Sequence, residues 1–570
     1  MRYLALACDY DGTIAASGIL AAPTIEALGR LRASGRKLIL VTGRELPDLM
    51  RVCPRLDLFD RVVAENGALL YRPAGREEKL LTEAPSERLI EALRRRDVRP
   101  LSIGHAIVST CEPNETVVIQ TIRDLGLELH VVFNKGAVMV LPSGVNKATG
   151  LTAALDELSL SPHNCVGVGD AENDHAFLAL CEAAVVVDNA LPALKERADL
   201  VTAEADGAGV AELVERLLAS DLAELAPRLA RHAILLGRRA GGDPVHVEPY
   251  GASILVAGAS GSGKSTFAVG FIERLAEQGF QFCVIDPEGD YPTLGEAVTL
   301  GTADTPPTVA GVVEVLAQPR RNAIVNLVGL PLADRPGFFE SLLPRLEELR
   351  ARAGHPHWIV IDEAHHLLPA GGAVPERSRV DALPGLLMVT VHPELVAPAA
   401  LEGVEVVVGV GDGAERVVDD FCRALGIVHP RTAARAPDAG DVLAWLRSSG
   451  EPPFSLQTVP GRSERRRHVR KYAQGELGEY KSFYFRGPEG KLNLRAQNLA
   501  IFVQLAEGVD DETWLHHLGK REYSAWFRRA IKDEELAAEA AQIEAEGGTA
   551  AATRAAVRHA IEQRYTLTSG

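Results

Sequence analysis

Two carboxylates two residues apart open the chain: Asp9 and Asp11 in the run Asp9-Tyr10-Asp11-Gly12-Thr13. They follow a short apolar stretch that reads as the first strand of a parallel sheet, and the carboxyl end of such a strand is where open α/β sheets bind ligands. A carboxylate there can attack phosphorus, and its neighbour can protonate a leaving oxygen and later activate water. Gly12 permits the tight turn between them. Alone, the run also reads as a turn and helix cap. Three further segments favour chemistry. Val41-Thr42-Gly43-Arg44 offers a hydroxyl and backbone amides for phosphate oxygens. Lys147, in Ser143-Gly144-Val145-Asn146-Lys147, supplies a cation, and Gly169-Asp170-Ala171-Glu172-Asn173-Asp174 supplies carboxylates for a metal. A phosphoryl group in transfer carries spread negative charge, so a lysine and Mg²⁺ are the expected stabilisers.

A second phosphate-handling pattern starts at Gly258. Gly258-Ala259-Ser260-Gly261-Ser262-Gly263-Lys264-Ser265-Thr266 lies between a predicted strand and a predicted helix, the setting that GxxxxGK[ST] requires. Its glycines let backbone N–H groups form a phosphate nest at a helix N-terminus. Lys264 would reach the β- and γ-phosphates of ATP, and Ser265 would bind Mg²⁺. Trp358-Ile359-Val360-Ile361 reads as a buried strand delivering Asp362-Glu363 to its end. Asp362 would hold the metal through water. Glu363 would polarise an attacking water, which favours hydrolysis over kinase chemistry.

The elements that must position these residues fall into three segments. Residues 1–215 alternate strands (Tyr3–Ala7, Lys37–Val41, Arg61–Ala64, Cys165–Val168, Ala184–Val187) with helical stretches, which implies a parallel sheet covered on both faces. Residues 234–453 repeat the pattern, with strands at Ser253–Ala257, Phe282–Ile285, Ala323–Leu327, Trp358–Ile361, Leu386–Thr390 and Val404–Gly409. Residues 471–570 read as a mainly helical accessory domain whose aromatics, around Phe483–Phe485, Trp514 and Tyr523–Phe527, form its core. The expected fold class is therefore α/β twice over, followed by helices. At 570 residues the chain is too long for one core. Its 46% hydrophobic and 24% charged residues are ordinary globular composition, and a net charge of −17 argues against a wholly nucleic-acid-coating protein. Seven scattered cysteines without a CxxC pair read as reduced thiols. With no secretory leader and no membrane-length apolar run, the expectation is a cytoplasmic protein.

The four aspartate-site segments, in this order, resemble the haloacid dehalogenase superfamily, and within it the Cof-type branch of sugar phosphatases and phosphoglycolate phosphatases. Glu65-Asn66-Gly67-Ala68 also resembles that branch. The resemblance covers about residues 1–215. It implies that Asp9 is the nucleophile and Asp11 the acid/base, with Thr42 and Lys147 holding the phosphoryl group. It also implies that Asp9, the Asp11 carbonyl and Asp170 hold Mg²⁺, with Asp174 in support. Gly43, Arg44 and Asn173 are implied substrate contacts. Residues 70–142 would be a substrate-choosing cap, within which His105, His130, Arg123 and Asn134 are undecided between pocket and framework.

Leu236-Gly237-Arg238, Asp286-Pro287-Glu288-Gly289-Asp290-Tyr291 and Thr390-Val391-His392-Pro393, set around Lys264 and Asp362, resemble the HerA/FtsK-like ATPases. That family implies ATP as ligand and a homo-oligomer, a hexameric ring that moves DNA or protein. Its members carry a polar sensor, often glutamine, where this chain has His392. No trans-acting arginine is legible. Arg462, Arg465, Arg466, Arg467, Arg470 and Lys471 form a basic run. It suits nucleic-acid phosphates, but reads better as a solvated linker.

The leading expectation is a magnesium-dependent phosphomonoesterase for a small phosphorylated metabolite or sugar phosphate, fused to an ATP-binding and ATP-hydrolysing domain. Two alternatives stand beside it: a nucleic-acid end-processing kinase/phosphatase, and an ATP-driven oligomeric motor with the phosphatase as effector.

Overall fold

A computed structural model describes the chain apart from residues 135, 230–231, 260, 292–293, 295, 371–384, 430–439, 460, 462–476, 478–481, 532 and 566–570. Two compact units result, Met1–Val459 and Pro460–Gly570.

The first unit holds two large sheets. In the N-terminal one, strands run in the order Leu200–Val201, Ala183–Val186, Cys165–Gly169, Ala5–Cys8, Lys37–Val41, Arg61–Ala64, Leu69–Arg72 and Glu77–Leu80. The first six are mutually parallel. Alternation along each strand sends side chains to opposite faces. Leu6, Cys8, Leu38 and Leu40 pack under helices Ala22–Ala33 and Asp206–Ser220. Ala5, Ala7, Ile39 and Val41 pack under Lys147–Glu157 and His175–Leu180. Both faces are covered, so these strands read as continuous apolar runs.

The expected cap start at residue 70 needs correcting. Leu69–Arg72 and Glu77–Leu80 belong to the core sheet, as two antiparallel strands at its edge. The chain reverses at Asn66 and Gly67, both at positive φ, so Leu69 and Leu70 return beside Val63 and Ala64 instead of leaving the sheet. The separate cap begins at helix Glu87–Arg95. Its four-stranded antiparallel sheet runs Leu129–Asn134, Ala137–Pro142, Val108–Cys111, Ser102–Ile103, and the helices Glu87–Arg95 and Glu115–Leu125 bury Leu89, Leu93, Val118 and Ile122 against it.

The second sheet has eleven strands, in the order Pro244–Val247, Ile234–Arg239, Phe454–Thr458, Asp441–Leu446, Val406–Val410, Ile254–Ala257, Leu386–Thr390, Trp358–Ile361, Phe282–Asp286, Ala323–Asn326 and Val298–Leu300. The expected end at residue 453 also moves, because Phe454–Thr458 is an interior strand that closes the antiparallel edge. Strand Leu386–Thr390 lies between the strand preceding Gly258 and the strand preceding Asp362.

Among its described residues the second unit is mainly helical, with one hairpin, Phe483–Phe485 against Leu494–Ala496. Asn498, Asp510, Asp533 and Thr549 each cap a helix by accepting a backbone N–H. Phe483, Phe485, Phe502, Trp514 and Tyr523 are buried together as its core. His517 is buried too, its Nε2 accepting the Arg486 N–H at 3.0 Å. The basic run from Arg462 to Lys471 lies outside the described residues. Among the described residues no helix is long and apolar enough to cross a membrane.

Candidate active site

Four chain segments deliver the first cluster, each from the carboxyl end of a strand or the start of a helix. Asp9 follows strand Ala5–Cys8, Thr42 follows Lys37–Val41, and Asp170 follows Cys165–Gly169. Lys147 is the first residue of helix Lys147–Glu157, which Asn146 caps by accepting N–H from Ala148 and Thr149. Lys147 Nζ donates to Asp9 Oδ1 at 2.5 Å and to Asp174 Oδ1 at 2.6 Å. Asp174 Oδ2 accepts the backbone N–H groups of Asp170 and Ala171 at 2.8 and 2.9 Å, so it ties the lysine to the turn that carries Asp170. Thr13 Oγ1 donates to Asp170 Oδ1 at 3.1 Å.

All of these groups are buried. Burial, and then the Asp174 carboxylate, push Asp9 up to about 7 against the pull of Lys147. Burial works against the Lys147 ammonium, but Asp174 and Asp9 more than offset it, so its pKa is raised and the lysine stays charged. Oxygen atoms of Asp9, Asp170 and Asp174 all lie within 4.8 Å of one another. Crowded, desolvated carboxylates favour a cation, and an all-oxygen donor set suits Mg²⁺.

Asp11 and Arg44 form a pair that the sequence did not reveal. Arg44 Nε and Nη2 donate to Asp11 Oδ2 and Oδ1 at 2.6 and 2.7 Å, and its Nη1 donates to Asp48. Arg44 therefore grips the neighbour of Asp9. Thr42 is buried, and its Oγ1 accepts the Arg44 N–H at 3.2 Å. Asn173 donates to Asn66 Oδ1 at 3.1 Å. A Cβ on Gly43 would sit 3.5 Å from Asn173 Nδ2 and 3.6 Å from Met139 Sδ of the cap, so cap and core meet beside Gly43.

Glu65 is the residue that sequence reasoning passed over. It is fully buried and accepts the N–H of His105 (2.9 Å), Ala106 (2.8 Å) and Ile107 (3.3 Å) from the cap. His105 Nδ1 lies 2.9 Å from the same carboxylate, which makes His105 part of the framework. His130 and Arg123 are exposed. Only the run Glu65–Ala68 signalled Glu65, without stating a task.

The second cluster sits on the other sheet. Gly258, Gly261 and Gly263 all have positive φ. A Cβ on Gly258 would lie 2.2 Å from Val410 O, so only glycine fits there. Lys264 Nζ donates to the loop's own Ala259 carbonyl at 2.9 Å, and Ser262 Oγ is buried without a partner. Ser260 lies outside the described residues. Ser265 and Thr266 follow Lys264 in the first turn of helix Lys264–Glu277. Asp362 is buried, and burial followed by repulsion from Asp286 and Glu363 raises its pKa. Glu363 has φ 45°. Thr390 Oγ1 bonds His365 Nδ1 at 3.0 Å and accepts the His392 N–H at 3.1 Å. His392 itself turns to Glu394 at 3.1 Å. Burial, with His366 and His392 nearby, lowers His365 to about 4, so it is neutral near pH 7.

Residues 6–123 and 120–214 match the family of haloacid dehalogenase-like hydrolases. A phosphoglycolate phosphatase of Methanothermobacter thermautotrophicus is 31% identical over 221 residues, which are 38% of this chain and 98% of the relative. The chain belongs to the haloacid dehalogenase-like hydrolases. It is an enzyme of phosphatase type. Phosphoglycolate phosphatase 2 of Saccharolobus solfataricus is 29% identical, covering 38% of this chain and 93% of the relative. A phosphoglycolate phosphatase of Halorubrum lacusprofundi is 30% identical, covering 37% and 96%. Residues 245–347 match the central domain of helicase HerA. The hydrolase is thus fused to a HerA-like P-loop region.

Proposed function

We propose that the hydrolase part is a magnesium-dependent phosphomonoesterase that works through an aspartyl-phosphate. The observation that carries this is the buried Asp9–Lys147–Asp174 chain, with Asp170 alongside. Asp9 attacks phosphorus, forming the Asp9 O–P bond as the ester oxygen departs with a proton from Asp11. Water then attacks the phosphorus, its proton goes to Asp11, and Asp9 is released with inorganic phosphate. Lys147 holds a phosphoryl oxygen and keeps the Asp9 oxygen oriented. Thr42 and the Gly43 amide hold the remaining oxygens. Arg44, bonded to both Asp11 oxygens, positions Asp11 until substrate draws it away. Asp9, Asp170 and the Asp11 carbonyl, with Asp174 in support, would hold Mg²⁺, which would neutralise the phosphoryl charge.

The substrate class is a small phosphorylated metabolite; the phosphoglycolate phosphatases among the relatives make a phosphorylated hydroxy acid the first compound to assay. The P-loop part binds and hydrolyses ATP through Lys264, Ser265, Asp362 and Glu363, in a cytoplasmic protein. The HerA match supports a homo-oligomer as the second reading, with nucleic acid as a partner to be tested.

Hydrolysis of p-nitrophenyl phosphate, followed by a panel of phosphorylated acids and sugars with and without ATP, tests the reading. Activity that needs Mg²⁺ and prefers one small phosphoester is expected. No turnover of any phosphoester in Mg²⁺ would refute it. Light scattering with and without ATP and DNA separates ring from monomer.

A further inference from the structure

The hydrolase sheet meets the P-loop sheet at the short turn Pro162–Asn164, which leads into the strand that carries Asp170. His163 is the contact. Its ring stacks on Phe280 at 3.8 Å and 14°, and its backbone carbonyl accepts from Tyr250 Oη at 2.8 Å. Its Nε2 lies 2.8 Å from the Gln278 carbonyl. Its Nδ1 lies 2.7 Å from Oε2 of Glu182, a fully buried carboxylate. His232, in the connection between the two sheets, places Nε2 3.7 Å from the same oxygen.

The hydrogen count at His163 is constrained. A carbonyl only accepts, so Nε2 carries a hydrogen towards Gln278. That leaves the Nδ1 lone pair facing a carboxylate oxygen at 2.7 Å. Two lone pairs at that distance need a cation between them, either a proton or a metal ion.

We propose that His163, Glu182 and His232 form a zinc-class metal site at the seam between the hydrolase and P-loop parts. Their ligand atoms lie within 4.8 Å of one another. Ligands at about 2.0–2.1 Å from a tetrahedral zinc stand roughly 3.3 Å apart. The observed nitrogen–oxygen separations of 2.7 and 3.7 Å bracket that value, and the two imidazole nitrogens stand within 4.8 Å of each other, so side-chain shifts of about 1 Å would close the site. The outer contacts are those of a metal-binding histidine and carboxylate. The Gln278 carbonyl takes the far ring N–H and fixes Nδ1 as the donor. Arg2 Nη2 donates to Glu182 Oε1 at 2.5 Å, the oxygen opposite the Oε2 that faces the imidazoles. Two imidazoles and one carboxylate select zinc-like ions over Mg²⁺, which prefers oxygen. Arg2 opposes a dication and weakens the site, so micromolar binding is expected. Such an ion would tie three stretches of chain together at the base of the Asp170 strand. The inference does not rest on the phosphatase reading.

The test is Co²⁺ titration of the metal-stripped full chain in excess Mg²⁺, which keeps the Asp9–Asp170 cluster filled. A saturable one-to-one increase in the intense visible bands of low-coordinate, nitrogen-ligated cobalt is expected, reversed by Zn²⁺. His163→Gln and His232→Gln should each weaken binding by about 10- to 100-fold, with hydrolysis of p-nitrophenyl phosphate in Mg²⁺ retained. If those variants do not fold, Glu182→Gln preserves the side-chain shape, and X-ray absorption of the zinc-loaded wild type reads the ligands directly. Only weak octahedral cobalt bands, an all-oxygen zinc shell, or full binding in the variants would each overturn the site in favour of a proton alone.

Discussion

The two phosphate-handling regions solve the same electrostatic problem in opposite ways. In the hydrolase cluster the charges are satisfied inside the protein: Lys147 sits between Asp9 and Asp174, both within hydrogen-bond distance. In the P-loop cluster, Lys264 folds back on the carbonyl of Ala259, and Ser262 Oγ and Glu363 Oε2 are buried without a hydrogen-bond partner. On the proposed reading the first region is preorganised, with its fixed charges aimed where phosphoryl charge would develop. The second holds its polar groups in positions that a ligand would complete. The lesson is that a lysine in a phosphate site is not one thing. On the proposed reading, Lys147 serves the folded framework as well as the chemistry, whereas Lys264 bonds its own loop until a phosphate draws it away.

The largest effects should separate the two regions cleanly. Asp9→Asn removes the charge of the proposed nucleophile, and should lower kcat for p-nitrophenyl phosphate by about 10³-fold or more, as loss of a nucleophile does elsewhere. ATP affinity should stay unchanged, measured by calorimetry. Lys264→Ala should do the converse, abolishing ATP binding and sparing phosphoester hydrolysis. If either substitution disables both activities, the regions are not separate.

Stability sharpens the contrast. Lys147→Met leaves two buried carboxylates without their shared cation, and breaking a buried ion pair from one side costs about 3–5 kcal/mol. Lys264→Met loses the bond to the Ala259 carbonyl and one of the charges that pull the Glu363 pKa down, and in the absence of ATP should cost less than Lys147→Met, about 1–2 kcal/mol. Urea unfolding of the two variants side by side reads the difference. Equal losses would mean that Lys264 is as much a framework residue as Lys147.

The sequence showed the parts of each region that are local in the chain. Asp9 to Thr13, Gly258 to Thr266 and Trp358 to Glu363 are continuous runs whose spacing already specifies strand, turn and acid. What it hid is what forms across the chain. Arg44 reads as a substrate contact by its place after Gly43, but its reach to Asp11 depends on two strands lying side by side. Glu65 meets the cap about 40 residues later. His163 meets Gln278, 115 residues on. Strand ends were legible to within a residue or two because apolar runs mark them. The cap boundary was misplaced because Leu69–Leu70 is equally apolar whether it leaves the sheet or returns to it.

Glu65 gives the next test. Glu65→Ala leaves three cap N–H groups without their acceptor, and each unmet buried group costs about 1–3 kcal/mol. Because the cap can open to water, part of this is recovered. The expected result is a raised KM for a preferred substrate with kcat on p-nitrophenyl phosphate less affected. ATP binding should not change. Hydrogen exchange at residues 104–107 should speed up; if it stays slow, the cap is held by other contacts.

The smallest effect comes from a four-residue charge cluster that lies towards the surface, and it marks what burial adds to the Lys147 cluster. Glu157 accepts from Arg72 at 2.8 and 2.9 Å, from Lys79 at 3.1 Å and from Arg61 at 2.9 Å. Arg72, despite some burial, and then Lys79 and Arg61 hold it down at about 2. Its folded pKa is lower than the unfolded value of about 4.3, so its contribution is full above that value and fades as pH falls towards 2. Arg72 and Lys79 are well exposed, and solvent screens such pairs to about 1 kcal/mol or less. Glu157→Gln should therefore lower the melting temperature slightly at pH 7, less in high salt, and progressively less as pH falls from about 4.3 towards 2. Calorimetry across that range checks the sign. A gap that widens on acidification would show that Glu157 is not ionised in the folded protein, and that the contrast with the buried Lys147 cluster is drawn in the wrong place.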